Sequence, residues 1–414
     1  MSKKKILIIS DHALSPSGVG LQTKYLAEGL LKTGDYTIIQ LGAAIKHQNY
    51  NTVKVCEDFY IKPIDGFGNV NLLRSVLLNE QPDALIIFTD PRFFSWLFEI
   101  EDEIRQVCPI LWWHVWDNYP YPDFNEWMYE STDVINCHSY LTYSMLKGKF
   151  SEKVNFIPHT FPKSVFFKLS KNIIKKEKIK ILGKEREDNF VCIWVNRNCK
   201  RKRPADLLYG WKRFVKMIEG KKRKATLLLH TNPLDESGQN LFEICNNLNI
   251  LDSVAFSTQK VSEREINILH NIADVCINVS FNEGFGLSTL SSMMTGTPII
   301  ASKTGGLTRQ VVDHRDNTQN GIALEIDMQT VVGNQHVPYI FEDYVSHENV
   351  AKGLYKMYKI ENKDLENLSK KVESYTKSEF DYIKMIEAWD KSLKQAIQKN
   401  KLTKIEVISL WKKF

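Results

Sequence analysis

The chain has 414 residues, 43% of them hydrophobic and 25% charged, with a formal net charge of +6. That length suffices for two domains of ordinary size, and the composition is that of a globular chain, which excludes disordered and fibrous classes. No run approaches the ~18 apolar residues that a membrane span needs, and seven cysteines without a C-x-x-C pair point to reduced core thiols in a cytoplasmic setting.

The N-terminus, MSKKKILIIS, has a basic start but only a short apolar run, so residues 6–10 read as a first strand, with a signal peptide as the minor alternative. Ser15-Pro16-Ser17-Gly18-Val19-Gly20 follows; its glycines Gly18 and Gly20 let backbone pass close to a ligand, although a plain turn reads the same way. A helix is expected over 21–32, then strands over 36–41, 84–88, 110–115, 134–136 and 155–157, with amphipathic segments over 72–78 and 94–107 between them. Strands alternating with helices predict a parallel, doubly wound sheet. Several polar groups stand at the ends of these strands, where such a sheet places ligands. Asp90 of Asp90-Pro91-Arg92 is either a ligand group or a helix cap. In Trp112-Trp113-His114-Val115-Trp116-Asp117-Asn118-Tyr119-Pro120, His114 and Asp117 are candidate ligand groups and Trp116 and Tyr119 candidate stacking partners; a buried, satisfied histidine is the competing reading. His159, after 155–157, is a further candidate.

Residues 161–189 are Lys-rich with weak periodicity and read as a linker. A second series begins with a strand over 190–195, followed by helix 205–218, strand 225–230, helix 240–248, strand 254–257, helix 263–271 and a buried strand over 273–280. Residues 282–306, NEGFGLSTLSSMMTGTPIIASKTGG, are the most informative stretch. Glu283 and a Gly-Phe-Gly turn precede a helical pattern over 287–295, a break at Gly296-Thr297-Pro298 and a short strand over 299–302. A strand, a Gly-rich turn and a helix N-terminus make a ready anion site. A polar, less ordered insert covers 313–338, and 350–398 is helical in pattern. Charge is uneven: residues 171–224 hold 19 Lys or Arg against 6 Asp or Glu. Such a segment suits a polyanion, either a diphosphate or a nucleic acid, though a solvated lysine-rich surface accounts for part of it.

The motif Glu283-Gly284-Phe285-Gly286-Leu287 resembles the signature of the retaining group 1 glycosyltransferases of the GT-B type, in which a second Glu stands eight positions after the first. Ser291 holds that second position and would offer the nucleotide ribose one hydrogen bond without charge. The resemblance implies two Rossmann-like, doubly wound domains facing a cleft. Residues 1–165 would be the acceptor-side domain, 166–379 the nucleotide-sugar domain, and a C-terminal helix from about 380 to 414 would cross back to the first domain. Arg197, just after the strand 190–195, and Lys202 five positions later match the pair that grips the donor diphosphate, a fork and a point charge. Gly18 and Gly20 would border that diphosphate, Lys260 the base, Thr304-Gly305-Gly306 the pocket wall, and His114 the donor sugar. The implied catalytic set is His114, Glu283, Arg197 and Lys202. Asp90, Trp116, Asp117, Tyr119 and His159 would contact the acceptor, with Arg201 and Arg203 at the surface or on the acceptor.

The implied reaction is transfer from a nucleotide sugar, a UDP-sugar, with neither metal nor cofactor and no protein nucleophile. Its site would steady a developing positive centre and a leaving phosphate. ISDHALSPSGVG, FTDPRFFSWLFEIEDEIR and WWHVWDNYP further resemble a subgroup associated with tailed phages and marine viruses. Some phage enzymes of this kind modify hydroxymethylated DNA. The acceptor would then be a 5-hydroxymethylated pyrimidine in double-stranded DNA, its extruded base stacked on Trp112, Trp113, Trp116 and Tyr119, in the host cytoplasm if the chain is phage-encoded. The alternatives are a saccharide or lipid-linked glycan acceptor, and a non-catalytic module binding a nucleotide sugar or nucleic acid. No oligomeric state is implied.

Overall fold

The structure, a computed structural model, describes residues 3–411; Met1, Ser2 and the last three residues of the expected C-terminal helix lie outside the described residues. The chain divides into two compact units. Unit 1 comprises Met1–Thr160, Gly333–Tyr339 and Tyr382–Phe414, and unit 2 comprises Phe161–Val332 and Ile340–Asp381.

Unit 1 starts with β1 (Lys4–Asp11), α1 (Gly18–Leu31), β2 (Tyr36–Ala43), β3 (Val53–Cys56), β4 (Phe59–Pro63) and α2 (Val70–Glu80). It continues with β5 (Ala84–Thr89), α3 (Ser95–Phe98), α4 (Glu101–Val107), β6 (Ile110–His114), α5 (Glu126–Glu130), β7 (Val134–Cys137), α6 (Tyr140–Phe150) and β8 (Val154–Phe156). The eight strands form one sheet in the order β3-β4-β2-β1-β5-β6-β7-β8, parallel except for the antiparallel β3–β4 pair. Central strands are buried on both faces, so β5 and β6 read as unbroken apolar runs. The β3–β4 pair was not expected. All four residues of β3 are exposed, which leaves no apolar alternation to find. The single helix expected over 94–107 is two helices, with Ile100, 8% exposed, packed inward between them.

Unit 2 opens with α7 (Lys171–Leu182), a helix where a linker was expected. Then come β9 (Phe190–Val195), α8 (Pro204–Met217), β10 (Ala225–His230), α9 (Leu241–Asn247), β11 (Val254–Ser257), α10 (Glu263–Asn271) and β12 (Val275–Asn278). α11 (Leu287–Met294), β13 (Ile299–Ser302), α12 (Thr308–Val311) and β14 (Gly321–Leu324) follow. The expected disordered insert holds β14 and half of a hairpin, β15 (Met328–Val332) with β16 (Ile340–Tyr344). α13 (His347–Tyr358) and α14 (Asn362–Glu379) complete the unit. Six parallel strands run in the order β11-β10-β9-β12-β13-β14. The sheet's core gathers Trp194, Leu207, Trp211, Leu227 and Val350.

The last helix, α15 (Tyr382–Trp411), belongs to unit 1. Trp389 is fully buried and lies 5.0 Å from Trp113, ring to ring. Tyr36 donates to Asp390 at 2.7 Å, and Asn136 to Ser392 at 3.0 Å. Among the described residues no helix is long and apolar enough to cross a membrane.

Each sheet reverses its winding once. β1 lies between β2 and β5, and β9 between β10 and β12. Open α/β sheets bind ligands beyond the carboxyl ends of strands at such a reversal. The loops after β9 and β12 in unit 2, and after β1 and β5 in unit 1, are therefore the places to look.

Candidate functional site

In unit 2 the loop after β9 forms a short turn, Lys200–Lys202, and enters α8 through Arg203, whose φ is 53°. Arg203 was expected at the surface but is 4% exposed. It pairs with Asp206 at 3.0 Å, donates to the Val345 carbonyl at 3.2 Å and lies over Phe281 and Tyr344. This buried arginine pins the turn. The loop after β12 is stitched onto it: Phe281 N–H donates to the Arg201 carbonyl at 3.0 Å, and the Arg201 guanidinium to the Asn282 carbonyl at 2.8 Å.

That stitching brings Lys202 onto the carboxylate of Glu283 in a hydrogen-bonded ion pair. Arg201 adds a second cation 3.5 Å from the other oxygen. Burial alone would push the Glu283 carboxyl up, but Lys202 and then Arg201 outweigh it and hold the group down at about 2. Glu283 is thus a permanently ionised acceptor among cations. Sequence reasoning paired Lys202 with Arg197 and placed Arg201 at the surface or on the acceptor; the geometry turns it onto Glu283. Arg197 lies apart from this cluster. Its guanidinium forks onto Asp235 at 3.0 and 3.2 Å and reaches Ser237 at 2.6 Å. Asp235, held down at about 2 by this contact, was missed, since no sequence spacing links it to Arg197.

The Gly-Phe-Gly turn follows. Gly286 sits at φ 94°, where a side chain is strained, and it starts α11. Gly306 packs against this turn so closely that a Cβ would stand 2.5 Å from the Gly284 carbonyl oxygen. Its N–H donates to the Glu283 carbonyl at 2.8 Å, and Gln310 donates to the Phe285 carbonyl at 2.7 Å. Phe285 is buried and Leu287 partly so, and Lys260 is exposed in the loop after β11. Ser291 departs from expectation. It is 3% exposed, its hydroxyl donates to the Ser288 carbonyl at 2.9 Å, and it lies 2.9 Å from His270. A hydroxyl engaged inside the helix layer is not presented to a ribose.

In unit 1 the loop after β1 places Ser17 as the N-cap of α1, accepting from Gly20 N–H at 2.9 Å, with Gly18 exposed at the helix start. Asp90 caps the turn Pro91–Phe93, accepting from Arg92 N–H at 3.1 Å, and burial raises its carboxyl. The aromatic segment corrects the expectation most sharply. Trp112 and Trp113 are 0% and 1% exposed and Trp116 4%, so none offers a stacking platform. Tyr119, at 45%, does. His114 is fully buried and stacked on Trp112, with Nε2 2.8 Å from the Tyr129 hydroxyl and no hydrogen-bond partner for its Nδ1 among the described residues. His159 is 4% exposed and stacked on His138. The parallel sheet explains both: its strands are covered on both faces up to their carboxyl ends.

Two α/β units, each built on a mainly parallel sheet with its polar residues beyond the strand ends, are the architecture of the GT-B class. Sucrose-phosphate synthase from Thermosynechococcus elongatus shares this fold with a TM-score of 0.72 at 14% identity, covering 95% of this chain and 99% of that one. HepE of Anabaena, solved in complex with UDP and glucose, gives 0.68 at 14% identity over 95% and 100%. The family model for Glycosyl transferases group 1 matches residues 175–375. A D-inositol 3-phosphate glycosyltransferase of Corynebacterium urealyticum is 33% identical over 131 residues, 29% of this chain and 30% of that protein. N-acetyl-alpha-D-glucosaminyl L-malate synthase of Bacillus anthracis is 24% identical over 225 residues, 54% of each. The chain thus spans 30% to 54% of these curated relatives.

Proposed function

We propose that the protein is a retaining glycosyltransferase that moves a sugar from a nucleotide sugar, a UDP-sugar, to a hydroxyl of a small polar acceptor, without a metal. One observation carries this reading: Glu283, Lys202 and Arg201 converge beside the Gly286 turn, at the reversal of the unit 2 sheet. The ionised Glu283 accepts hydrogen bonds from sugar hydroxyls. Lys202 and Arg201 put positive charge where a leaving diphosphate becomes more negative, which lowers the barrier because the charge is fixed in advance. Arg197, forked on Asp235, exchanges that carboxylate for two oxygens of a phosphate, which the planar guanidinium can fork in the same way. Gly284, Phe285, Gly286 and Leu287 line the donor, with Lys260 at the base. Unit 1 supplies the acceptor side through Asp117 and Tyr119.

The relatives named for inositol phosphate and malate support an acceptor of that size, a sugar, polyol or hydroxy acid. A modified pyrimidine in DNA is the second reading. It is favoured by the cation density of residues 171–224 and by exposed Tyr119, but it has lost the three buried tryptophans as platform. The test is release of UDP from a panel of UDP-sugars by the pure protein, with saccharides, polyols or hydroxymethylated duplex DNA added. UDP release stimulated by a small acceptor is expected. Label transferred only to DNA would install the second reading, and no release from any nucleotide sugar would leave a binding module.

A further inference from the structure

The basic residues of 171–224 do not crowd the site at the carboxyl ends of the unit 2 strands. Most lie at the opposite, amino-terminal edge of that sheet. Phe190, the first residue of β9, donates its N–H to the Lys224 carbonyl at 2.8 Å, which places the run Lys221-Lys222-Arg223-Lys224 there. Lys178 of α7 donates to the Asn189 carbonyl at 2.8 Å, directly ahead of β9. Arg186 donates to the Asp252 carbonyl at 3.2 Å, ahead of β11, and Arg223 pairs with Asp274 at 2.8 Å, ahead of β12. Lys178 thus places α7 beside the start of β9, while Arg186 and Arg223 reach the starts of β11 and β12 from the segments that follow.

The cations left facing water on this edge are lysines. Lys171, Lys175, Lys176, Lys180 and Lys184 on and after α7 are exposed, as are Lys221, Lys222 and Lys224. The acids among them are Glu177, Glu185, Glu187, Asp188, Glu219, Asp252, Glu265, Asp274 and Glu366, of which Glu177, Glu187, Asp274 and Glu366 are paired to Lys180, Lys184, Arg223 and Lys171. Both arginines are turned onto the protein. Beside the lysines stand exposed aliphatic side chains: Ile173 at 47%, Ile181 at 39%, Met217 at 41% and Leu251 at 44%.

We infer that this edge of unit 2 docks on an anionic lipid surface, lysines over the headgroups and Ile173 and Ile181 against the acyl boundary. Lysines neutralise duplex phosphates as well, but a phosphate backbone leaves Ile173 and Ile181 in water, whereas a lipid interface buries them. Lysine is a compact point charge suited to a diffuse anionic surface, and aliphatic side chains gain from a lipid interface but nothing from phosphate. Docking here leaves the carboxyl edge of the sheet, with Glu283 and Lys202, free to take substrate.

The experiment is sedimentation of the full chain with vesicles of phosphatidylglycerol and phosphatidylcholine in equal parts, against phosphatidylcholine alone, over a salt series. Binding to the anionic vesicles only, weakening as salt rises, is expected. Each lysine near such a surface contributes about fivefold in partition, so Lys175→Gln/Lys176→Gln/Lys180→Gln should lose at least tenfold or so. Ile173→Ser/Ile181→Ser should weaken vesicle binding and leave binding to duplex DNA unchanged. None of these residues touches the Glu283 cluster, and cooperative thermal unfolding of the variants at the parent's midpoint reports intact folding, which keeps this result separate from the fate of the transferase reading. No binding to anionic vesicles at low salt, or equal binding by the lysine variant, overturns the inference. So does tighter binding to duplex DNA together with an indifferent isoleucine variant, which would assign the edge to nucleic acid.

Discussion

Lys202 and Glu283 form an ion pair that is nine-tenths out of water, with side chains 12% and 10% exposed, and it ties the loop after β9 to the loop after β12. Removing one partner leaves the other as a buried charge. Lys202→Ala should therefore cost roughly 3–5 kcal/mol of stability as well as turnover. Lys202→Ala/Glu283→Gln should regain much of that stability and none of the activity. Urea unfolding decides it; a single variant as stable as the parent would contradict the pair's role.

Arg197 makes the opposite case. Its side chain is 66% exposed, so the Asp235 pair contributes under about 1 kcal/mol. If Arg197 takes a phosphate during transfer, Arg197→Ala should lower turnover roughly 30- to 1,000-fold at nearly unchanged stability. Sugar-transfer rates and urea midpoints measured together test this, and turnover close to wild type would remove Arg197 from the donor grip.

Burial holds His114 and His270 down at about 3 and His159 well below its ordinary 6.5. Unfolded, each takes up a proton near pH 6.5; folded, it does not. Stability is therefore complete above that pH and falls as pH drops from 6.5 toward 3, by up to about 1.4 kcal/mol per pH unit per histidine. Glu283, ordinarily near 4.5 and held at about 2, adds to the loss only below 4.5. Urea unfolding between about pH 7 and pH 5 should thus show a histidine limb, reduced by one histidine's share in His270→Asn. A flat profile would mean that these rings are hydrated.

Ser291→Ala should leave UDP affinity within about twofold, because the hydroxyl is spent on Ser288 and His270 and its loss costs about 1 kcal/mol of folding energy. Ser291→Glu should instead destabilise the fold, since it puts a carboxylate into a site 3% exposed. Calorimetric titration with UDP, alongside thermal unfolding, checks both; a tenfold affinity loss in the alanine variant would return Ser291 to the ribose.

Gly306→Ala should damage the Gly-Phe-Gly turn without touching a charged group. Its Cβ would meet the Gly284 oxygen and the Phe285 Cα, both at 2.5 Å, and backbone cannot swing aside as a side chain does. A cost of about 1–3 kcal/mol and weakened UDP-sugar binding are expected. Normal binding by this variant would show that the turn adapts.

Regular elements were legible wherever apolar periodicity was strong. β11, α10 and β13 fall on their expected bounds: β13 is buried throughout and α10 carries a capping box, while β11 is an edge strand whose first residue alone is buried. β3 left no such pattern, and the apolar stripe of α7 is thin between its lysines. At the site, Glu283 and the turn after it were legible as a motif. Arg201 and Asp235 were not, because their partners come from other loops. Trp112 and Trp113 misled for a related reason: an aromatic run says that rings are present, and only the layers above and below the sheet decide whether they meet water.

Unit 2 ends at Asp381 and unit 1 ends with α15, so the unit that starts first is completed last. Trp113, Tyr36 and Asn136 receive their partners Trp389, Asp390 and Ser392 more than 250 residues later, a spacing of 256 for the Asn136–Ser392 bond. On the ribosome, the nascent first sheet must wait with one flank uncovered while the whole of the second is synthesised. A chain cut after Asp381 keeps every residue of unit 2 and strands unit 1 in that waiting state, so the final helix acts as the closing step of biosynthesis.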